Sequence, residues 1–246
     1  MSLVALQRNG GEAIYSQIAK LLKEEIASFL TPGECIPSEN DLADRFGVNR
    51  HTIRRAVEDL IAAGLLERRR GRGTFVLDGP SNYSLGSDTR FTETFESLGK
   101  TASSRVLRKL VITARGGVSA RLKLSENDQV IWIESLRLAD DRPICVISHF
   151  LPRQSFPDLL GEYHGGSLHE HLVSRYGRKL RRIESLISAA LPQGDDASLL
   201  GMPQNQPVLR VKSVNVGERD GTPLEYALTR FRADRIQLRI NPWPIH

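Results

Sequence analysis

Arg50, His51, Arg54 and Arg55 alternate with Ile53, Ala56, Val57 and Leu60 at helical spacing. At about 100° per residue the apolar set gathers on one side of a helix and the donor set on the other. Arginine takes guanine bidentately, and Asn, His and Thr side chains reach bases or phosphates. The N-terminus of such a helix adds backbone donors and a favourable dipole for phosphate. A second basic group follows at Arg68-Arg69-Arg70-Gly71-Arg72-Gly73, between two short strand-like runs. Glycines let a hairpin turn tightly there, and arginines at its tip can lie against a nucleic-acid backbone or minor groove. An arginine-rich helix face taken alone is more often merely solvated. Helix and hairpin together point to nucleic acid, although Arg55 and Glu58 can be plain surface charges and one of Arg68 and Arg69 can point away.

The preceding elements position this helix. Ile14, Ile18, Leu21, Leu22, Ile26 and Phe29 predict a helix from Ile14 to Leu30, stopped by Thr31-Pro32-Gly33. Ser38 is an N-cap with Asp41 at the answering position, opening a short helix that buries Leu42, Ala43 and Phe46. Gly47 makes a tight turn, and Asn49 caps the third helix, which ends at Ala62-Ala63-Gly64. Leu65 to Val76 then reads as two short strands. Three helices, a turn between the last two and a basic hairpin describe a winged helix-turn-helix.

Pro37-Ser38-Glu39, Leu42-Ala43, Phe46-Gly47-Val48, Thr52-Ile53-Arg54, Gly64-Leu65 and Arg70 to Val76 resemble the signature of the GntR family of bacterial transcription regulators. The resemblance spans roughly Ile14 to Val76. It implies DNA contacts at Asn40, Asn49, Arg50, His51, Thr52, Arg54, Arg70 and Gly71, with Arg50 and Arg54 the most important.

Composition sets the wider bounds. The 246 residues suffice for two domains, and 40% hydrophobic with 26% charged residues reads as globular. The formal net charge is +5. Residues 1–80 hold 11 Lys plus Arg against 11 Asp plus Glu, yet seven of those basic residues are arginines between Arg50 and Arg72. The nucleic-acid signal therefore lies in geometry and not in net charge. No apolar run approaches the ~20 residues of a membrane span, and no secretory leader is evident, so the cytoplasm is the expected compartment. Cys35 and Cys145 lie far apart and predict free thiols.

Domains are expected at 1–77 (DNA-binding), 78–89 (linker, from the loop formers Asp78 to Ser84) and 90–246. The last alternates short helices and strands: helix near Phe91–Leu98, strand Arg105–Thr113, helix Val118–Leu124, hairpin Gln129–Leu138 with Pro143–Leu151, helix Ser167–Tyr176, strand Arg182–Leu191, helix Asp195–Leu200, and hairpin Val208–Val216 with Pro223–Phe231. The run Val130-Ile131-x-Ile133-x-Ser135-Leu136 is echoed by Val208-Leu209-x-Val211-x-Ser213-Val214. A helix–hairpin unit used twice predicts a mostly antiparallel sheet, an α+β fold, with a pocket at the seam of the halves.

Arg90-Phe91-Thr92, Leu136-Arg137-Leu138, Ser167-Leu168, Tyr176-Gly177 and Leu224-Glu225-Tyr226 resemble the UTRA ligand-binding domain of the HutC branch of GntR regulators, whose fold is chorismate-lyase-like. That resemblance implies effector contacts at Arg90, Thr92, Arg137, Ser167, His169 and Glu225, with His149 and Tyr226 as further candidates. Arg137 interrupts an apolar strand, where a charge is costly without a partner, and a guanidinium fork suits phosphate or phosphonate oxygens. The alternative is that Arg137 and Glu225 pair across the sheet. Arg232, Asp234 and Arg235 read as a structural ion group, and His169 and His171, two apart on a helix, point to different sides. Asn49 to Ala56 is most similar to regulators of phosphonate-utilisation operons. The implied protein is a homodimeric repressor that binds double-stranded operator DNA and a small anionic effector, with no cofactor or metal and no membrane association. Another catabolic pathway, with a sugar phosphate, urocanate or other organic acid as signal, remains the competing assignment. A lyase-like enzyme or an architectural DNA binder is the weaker one, since no nucleophile elbow or P-loop is present.

Overall fold

The computed structural model describes residues 12–77 and 79–240. The chain divides into two compact units, one up to Ser81 and one from Asn82.

The first unit holds α1 (Ile14–Phe29), α2 (Glu39–Phe46), α3 (Arg50–Ala62) and the hairpin β1 (Leu66–Arg69) with β2 (Gly73–Val76). A capping box starts α2: Ser38 Oγ accepts from Asp41 N at 3.2 Å, and the Asp41 carboxylate accepts from Ser38 N at 3.1 Å. Gly47, at φ 61°, ends it. Asn49 Oδ1 accepts from Thr52 N at 2.9 Å and starts α3. Ile18 and Leu22 of α1, Leu42 of α2, Ile53, Ala56 and Leu60 of α3, and Leu66 and Val76 of the hairpin form one core. The connector after α1 flanks the hairpin, with Ile36 N donating to Thr74 O and Val76 N to Glu34 O. Gly73 sits at φ 116°, a conformation that suits glycine, and a Cβ there would lie 2.8 Å from Cys35 Sγ, so that side chain would have to move.

The second unit is a six-stranded antiparallel sheet. Its chain order is β3 (Ser81–Ser84), α4 (Phe91–Ser97), β4 (Ala102–Thr113), α5 (Gly117–Leu122), β5 (Gln129–Ala139), β6 (Arg142–Pro152), α6 (Leu159–Glu162), α7 (Leu168–Tyr176), β7 (Leu180–Ala190), α8 (Asp196–Leu200), β8 (Val208–Gly217), β9 (Pro223–Arg232) and β10 (Ile236–Arg239). The spatial order is β4-β5-β6-β9-β8-β7. That order is the expected duplication: β4-α5-β5-β6 and β7-α8-β8-β9 meet at the β6–β9 pair, and each hairpin turns back on itself. Asp140 and Asp141, at φ 48° and 60°, make the first of those turns.

Alternate residues serve opposite faces. Cys145 and Ile147 of β6 pack with Phe91 and Phe95 of α4, whereas Val146 packs with Ala197 and Leu200 of α8. Burial pushes the Cys145 thiol up to about 12, so it behaves as a small apolar side chain, and Cys35 is free and exposed. On the α8 side Arg230 sits among buried polar groups. It donates to Glu134 at 2.7 Å, Asp196 at 2.9 Å and Ser148 at 2.9 Å, and Arg108 reaches Glu134 from the edge at 2.9 Å.

Residues read as loop formers hold a strand. β3 pairs with β10 in a separate two-stranded sheet, and Tyr83 is buried. Its partner lies some 150 residues away, so nothing local announces it.

Candidate nucleic-acid interface and anion pocket

The outward face of α3 is organised by an acid. Glu39, on the first turn of α2, accepts from Arg50 Nε at 3.1 Å, from Arg54 Nε and Nη2 at 3.3 Å, and from Arg68 Nη2 of β1 at 2.8 Å. Burial pushes its carboxyl up, but Arg50, Arg54 and Arg68 outweigh that and hold it below the usual range. The three arginine side chains stay 40–57% exposed, so phosphates and base edges can still reach them. They line one open concavity with Asn40, Arg70, Gly71 and Arg72. Five of the eight residues expected on DNA thus come together.

Asn49, His51 and Thr52 lie outside that concavity. Asn49 Oδ1 is taken by Thr52 N and by Thr52 Oγ1 at 3.0 Å, which leaves its amide nitrogen for a ligand. His51 is exposed. Arg55 stacks on Tyr15, 4.0 Å from the ring centroid, and Arg69 lies over Phe75 while pairing with Glu67 at 2.6 Å. Of the two hairpin arginines in question, Arg68 joins the Glu39 cluster, whereas Arg69 lines the same concavity but is held by Glu67 and Phe75. Glu39 was not expected as an organiser of the arginines; it stands in the Pro37-Ser38-Glu39 motif, but an acid at a helix N-terminus is explained equally well by the helix dipole.

In the second unit a cavity of about 60 Å³ is lined by all six expected effector residues: Arg90, Thr92, Arg137, Ser167, His169 and Glu225. Its walls come from β5 and β6 of one half and β7, β8 and β9 of the other, with β3 and the starts of α4 and α7 beside them. Glu225, fully buried, accepts from His149 Nδ1 at 2.5 Å, from His169 Nε2 at 2.7 Å and from Asn215 Nδ2. It does not pair with Arg137, because β6 separates their strands. Arg137 instead donates from Nη1 to Gly166 O at 2.9 Å. That carbonyl also accepts from Tyr163 Oη at 2.9 Å, and Ser104 Oγ lies 3.4 Å from it. Ser167 caps α7, accepting from Glu170 N at 3.3 Å, and Arg90 pairs with Glu93 at 3.0 Å.

His149 lines the cavity as expected, but Tyr226 does not. Tyr226 follows Glu225 in the strand, so it faces the opposite side and stacks on Phe150 with centroids 6.0 Å apart. His171 turns away from His169 toward Tyr163, and Arg232 pairs with Asp234 at 2.6 Å while Arg235 donates to Pro143 O. Arg182 and Asn215 also line the cavity and were missed. Among the described residues no His, Cys, Asp and Glu cluster can hold a metal, and no helix is long and apolar enough to cross a membrane.

Burial pulls the His149 imidazole down despite Glu225, so it is neutral and donates Nδ1–H. Burial pushes Glu225 up, but His169 and His149 outweigh it and hold the carboxyl well below its ordinary value. Both shifts act in one direction. Below about pH 6.5 an unfolded His gains a proton that folded His149 resists, so stability falls on acidification. The stability due to Glu225 is present above about pH 4.3 and is lost as pH falls toward its lowered folded value. The denaturant midpoint of the second unit is therefore expected to drop between pH 7.5 and 5. In His149→Gln that slope should flatten, and an unchanged slope would show that His149 titrates alike in both states.

Two family models match this chain: bacterial regulatory proteins, gntR family, over residues 14–76, and the UTRA domain over residues 97–237. The "Probable transcriptional regulator PhnF" of Escherichia coli (strain K12) is 34% identical to it over 91% of this chain and 92% of that protein. The "HTH-type transcriptional repressor NagR" of Bacillus subtilis (strain 168) is 31% identical over 90% of this chain and 91% of that protein. The crystal structure of PhnF from Mycobacterium smegmatis matches with a TM-score of 0.66 and 26% identity, covering 92% of this chain and 99% of that one.

Proposed function

The chain belongs to the GntR family of bacterial regulatory proteins and carries the UTRA domain of its HutC branch, and from that premise we propose that it represses phosphonate-metabolism genes and leaves its operator when a small phosphonate or organophosphate-like anion fills the Arg137 cavity. Like its relatives it is a DNA-binding transcriptional regulator and not an enzyme. The name of the Bacillus subtilis relative supports repression.

One observation carries the ligand class. Arg137 is 5% exposed, and among the described residues no carboxylate pairs with it. A buried guanidinium without a counter-ion is a site waiting for an anion. The similarity of Asn49 to Ala56 to phosphonate-operon regulators favours a phosphonate.

A dimer is the functional form in this reading. Among the described residues the 11-residue edge strand β7 is paired as a strand with β8 alone, its outer edge meets only Ser87 O through Arg182 N, and it exposes Ile183, Leu186 and Ile187, an apolar edge of the kind that pairs with a second copy. Two-fold operators suit dimeric helix-turn-helix proteins.

The test is operator binding at fixed salt with and without short-chain phosphonates and organophosphates, on samples whose sedimentation reports a dimer. Operator affinity unchanged by all of them removes the effector assignment. On the DNA side, Arg54→Ala is expected to lose about 1–3 kcal/mol, relaxing discrimination at one position of each half-site. A loss that is uniform across sequences would favour architectural binding instead.

A further inference from the structure

We propose that Arg182 is a second guanidinium arm of the anion cavity and that the effector binds doubly ionised, as a phosphonate or phosphate monoester and not as a carboxylate or diester. This rests on the effector assignment above and deepens it. Arg182 comes from β7, in the half of the sheet opposite to Arg137, and both line the same cavity. A break in the β7–β8 register between Arg182 and Glu184 sets Arg182 apart from the regular alternation of its strand.

Three observations converge on it. First, Nε of Arg137 and Nε of Arg182 are both buried without a hydrogen-bond partner. Second, the bonds these arginines make through their terminal nitrogens run to backbone carbonyls, Arg137 to Gly166 O and Arg182 to Gly86 O at 3.0 Å, and among the described residues neither meets a carboxylate. Carbonyls satisfy the geometry of an N–H but leave the charge unneutralised. Third, the cavity holds Arg90, Arg137 and Arg182 against the single carboxylate of Glu225, which already accepts from two imidazoles and an amide. Arg90 alone has a private partner, Glu93. Two cationic arms are therefore left over, and a ligand bearing two negative charges on one tetrahedral head matches both. A carboxylate or a phosphonate monoester brings one charge and leaves one arm, the buried Arg137 or the half-buried Arg182, unneutralised.

The experiment is calorimetric titration of the full-length protein with ethylphosphonate, its monomethyl ester, propionate and inorganic phosphate. Wild type is expected to take ethylphosphonate at least tenfold more tightly than the monoester or propionate. That preference should grow as pH rises through the second ionisation of the phosphonate. In Arg182→Met, ethylphosphonate affinity is expected to fall about tenfold to a hundredfold, as for loss of a charged hydrogen bond. Monoester affinity should change far less, so the ratio collapses toward one, and Arg182→Lys should restore part of it. A purely structural role for Arg182 would weaken both ligands together and leave the ratio intact, which overturns the proposal. So would equal affinity of wild type for phosphonate and monoester, with phosphonate still releasing operator; that result leaves the effector assignment standing. If inorganic phosphate binds as tightly as ethylphosphonate, the doubly ionised head is upheld and the alkyl chain is not recognised. If no ligand binds wild type, both readings fall.

Discussion

Arg230→Met is expected to destabilise the second unit by about 3–5 kcal/mol, read as a fall in its urea midpoint at constant slope. The side chains of Arg230, Glu134 and Asp196 are 8%, 7% and 11% exposed, so the substitution strands two carboxylates away from water. Arg108 still reaches Glu134 from the partly exposed edge, which places the cost toward the lower end of that range. Adding Glu134→Leu and Asp196→Leu should recover most of the loss, because the penalty comes from unpaired buried charge and not from missing volume. If the single variant is as stable as wild type, the cluster is open to solvent and its bonds carry little.

Arg137→Met should do the reverse. A buried guanidinium whose Nε has no partner and which no carboxylate neutralises is a standing cost to the folded state. Methionine of similar length removes that cost, so the ligand-free protein is expected to gain about 1 kcal/mol or more. In the same variant phosphonate affinity should fall about tenfold to a hundredfold, and operator release by ligand should disappear. Stability gained where function is lost marks a residue kept for binding. Denaturation with and without phosphonate checks both halves. A destabilised Arg137→Met would place Arg137 in the scaffold and make Gly166 O its purpose.

Elements set by local signals were legible in the sequence. The Ser38–Asp41 cap, the Asn49 cap and the inward stripe Ile53, Ala56, Val57, Leu60 each lie within a few residues of chain, and the structure returns them as read. The repeat of Val130–Leu136 in Val208–Val214 made the hairpins and the antiparallel sheet readable, since two copies of one pattern constrain each other. Pairings across long stretches of chain were not readable. β3 finds β10 from the other end of its unit, Arg230 joins Glu134 over 96 positions, and Glu39 gathers arginines from two later elements. Arg182 was hidden for another reason: the register break at its position hides which side of an apolar-looking strand it serves. Tyr226 was avoidable, because strict alternation beside Glu225 already sends it to the other face.

The three groups that converge on the Gly166 carbonyl have a further consequence. Arg137 holds an oxygen that the protein itself supplies. Ligand uptake through that nitrogen is thus a competition between an incoming anion and a tethered backbone dipole. The affinity expected for the proposed ligand is then the difference between the two, and tighter docking of Gly166 would weaken it. The loser of that contest is the residue immediately before the Ser167 cap, in a Gly165-Gly166 pair whose φ angles of 149° and 81° suit glycine. In the proposed reading, a ligand that takes this nitrogen removes one of the three holds on the residue before the first turn of α7, leaving those of Tyr163 and Ser104.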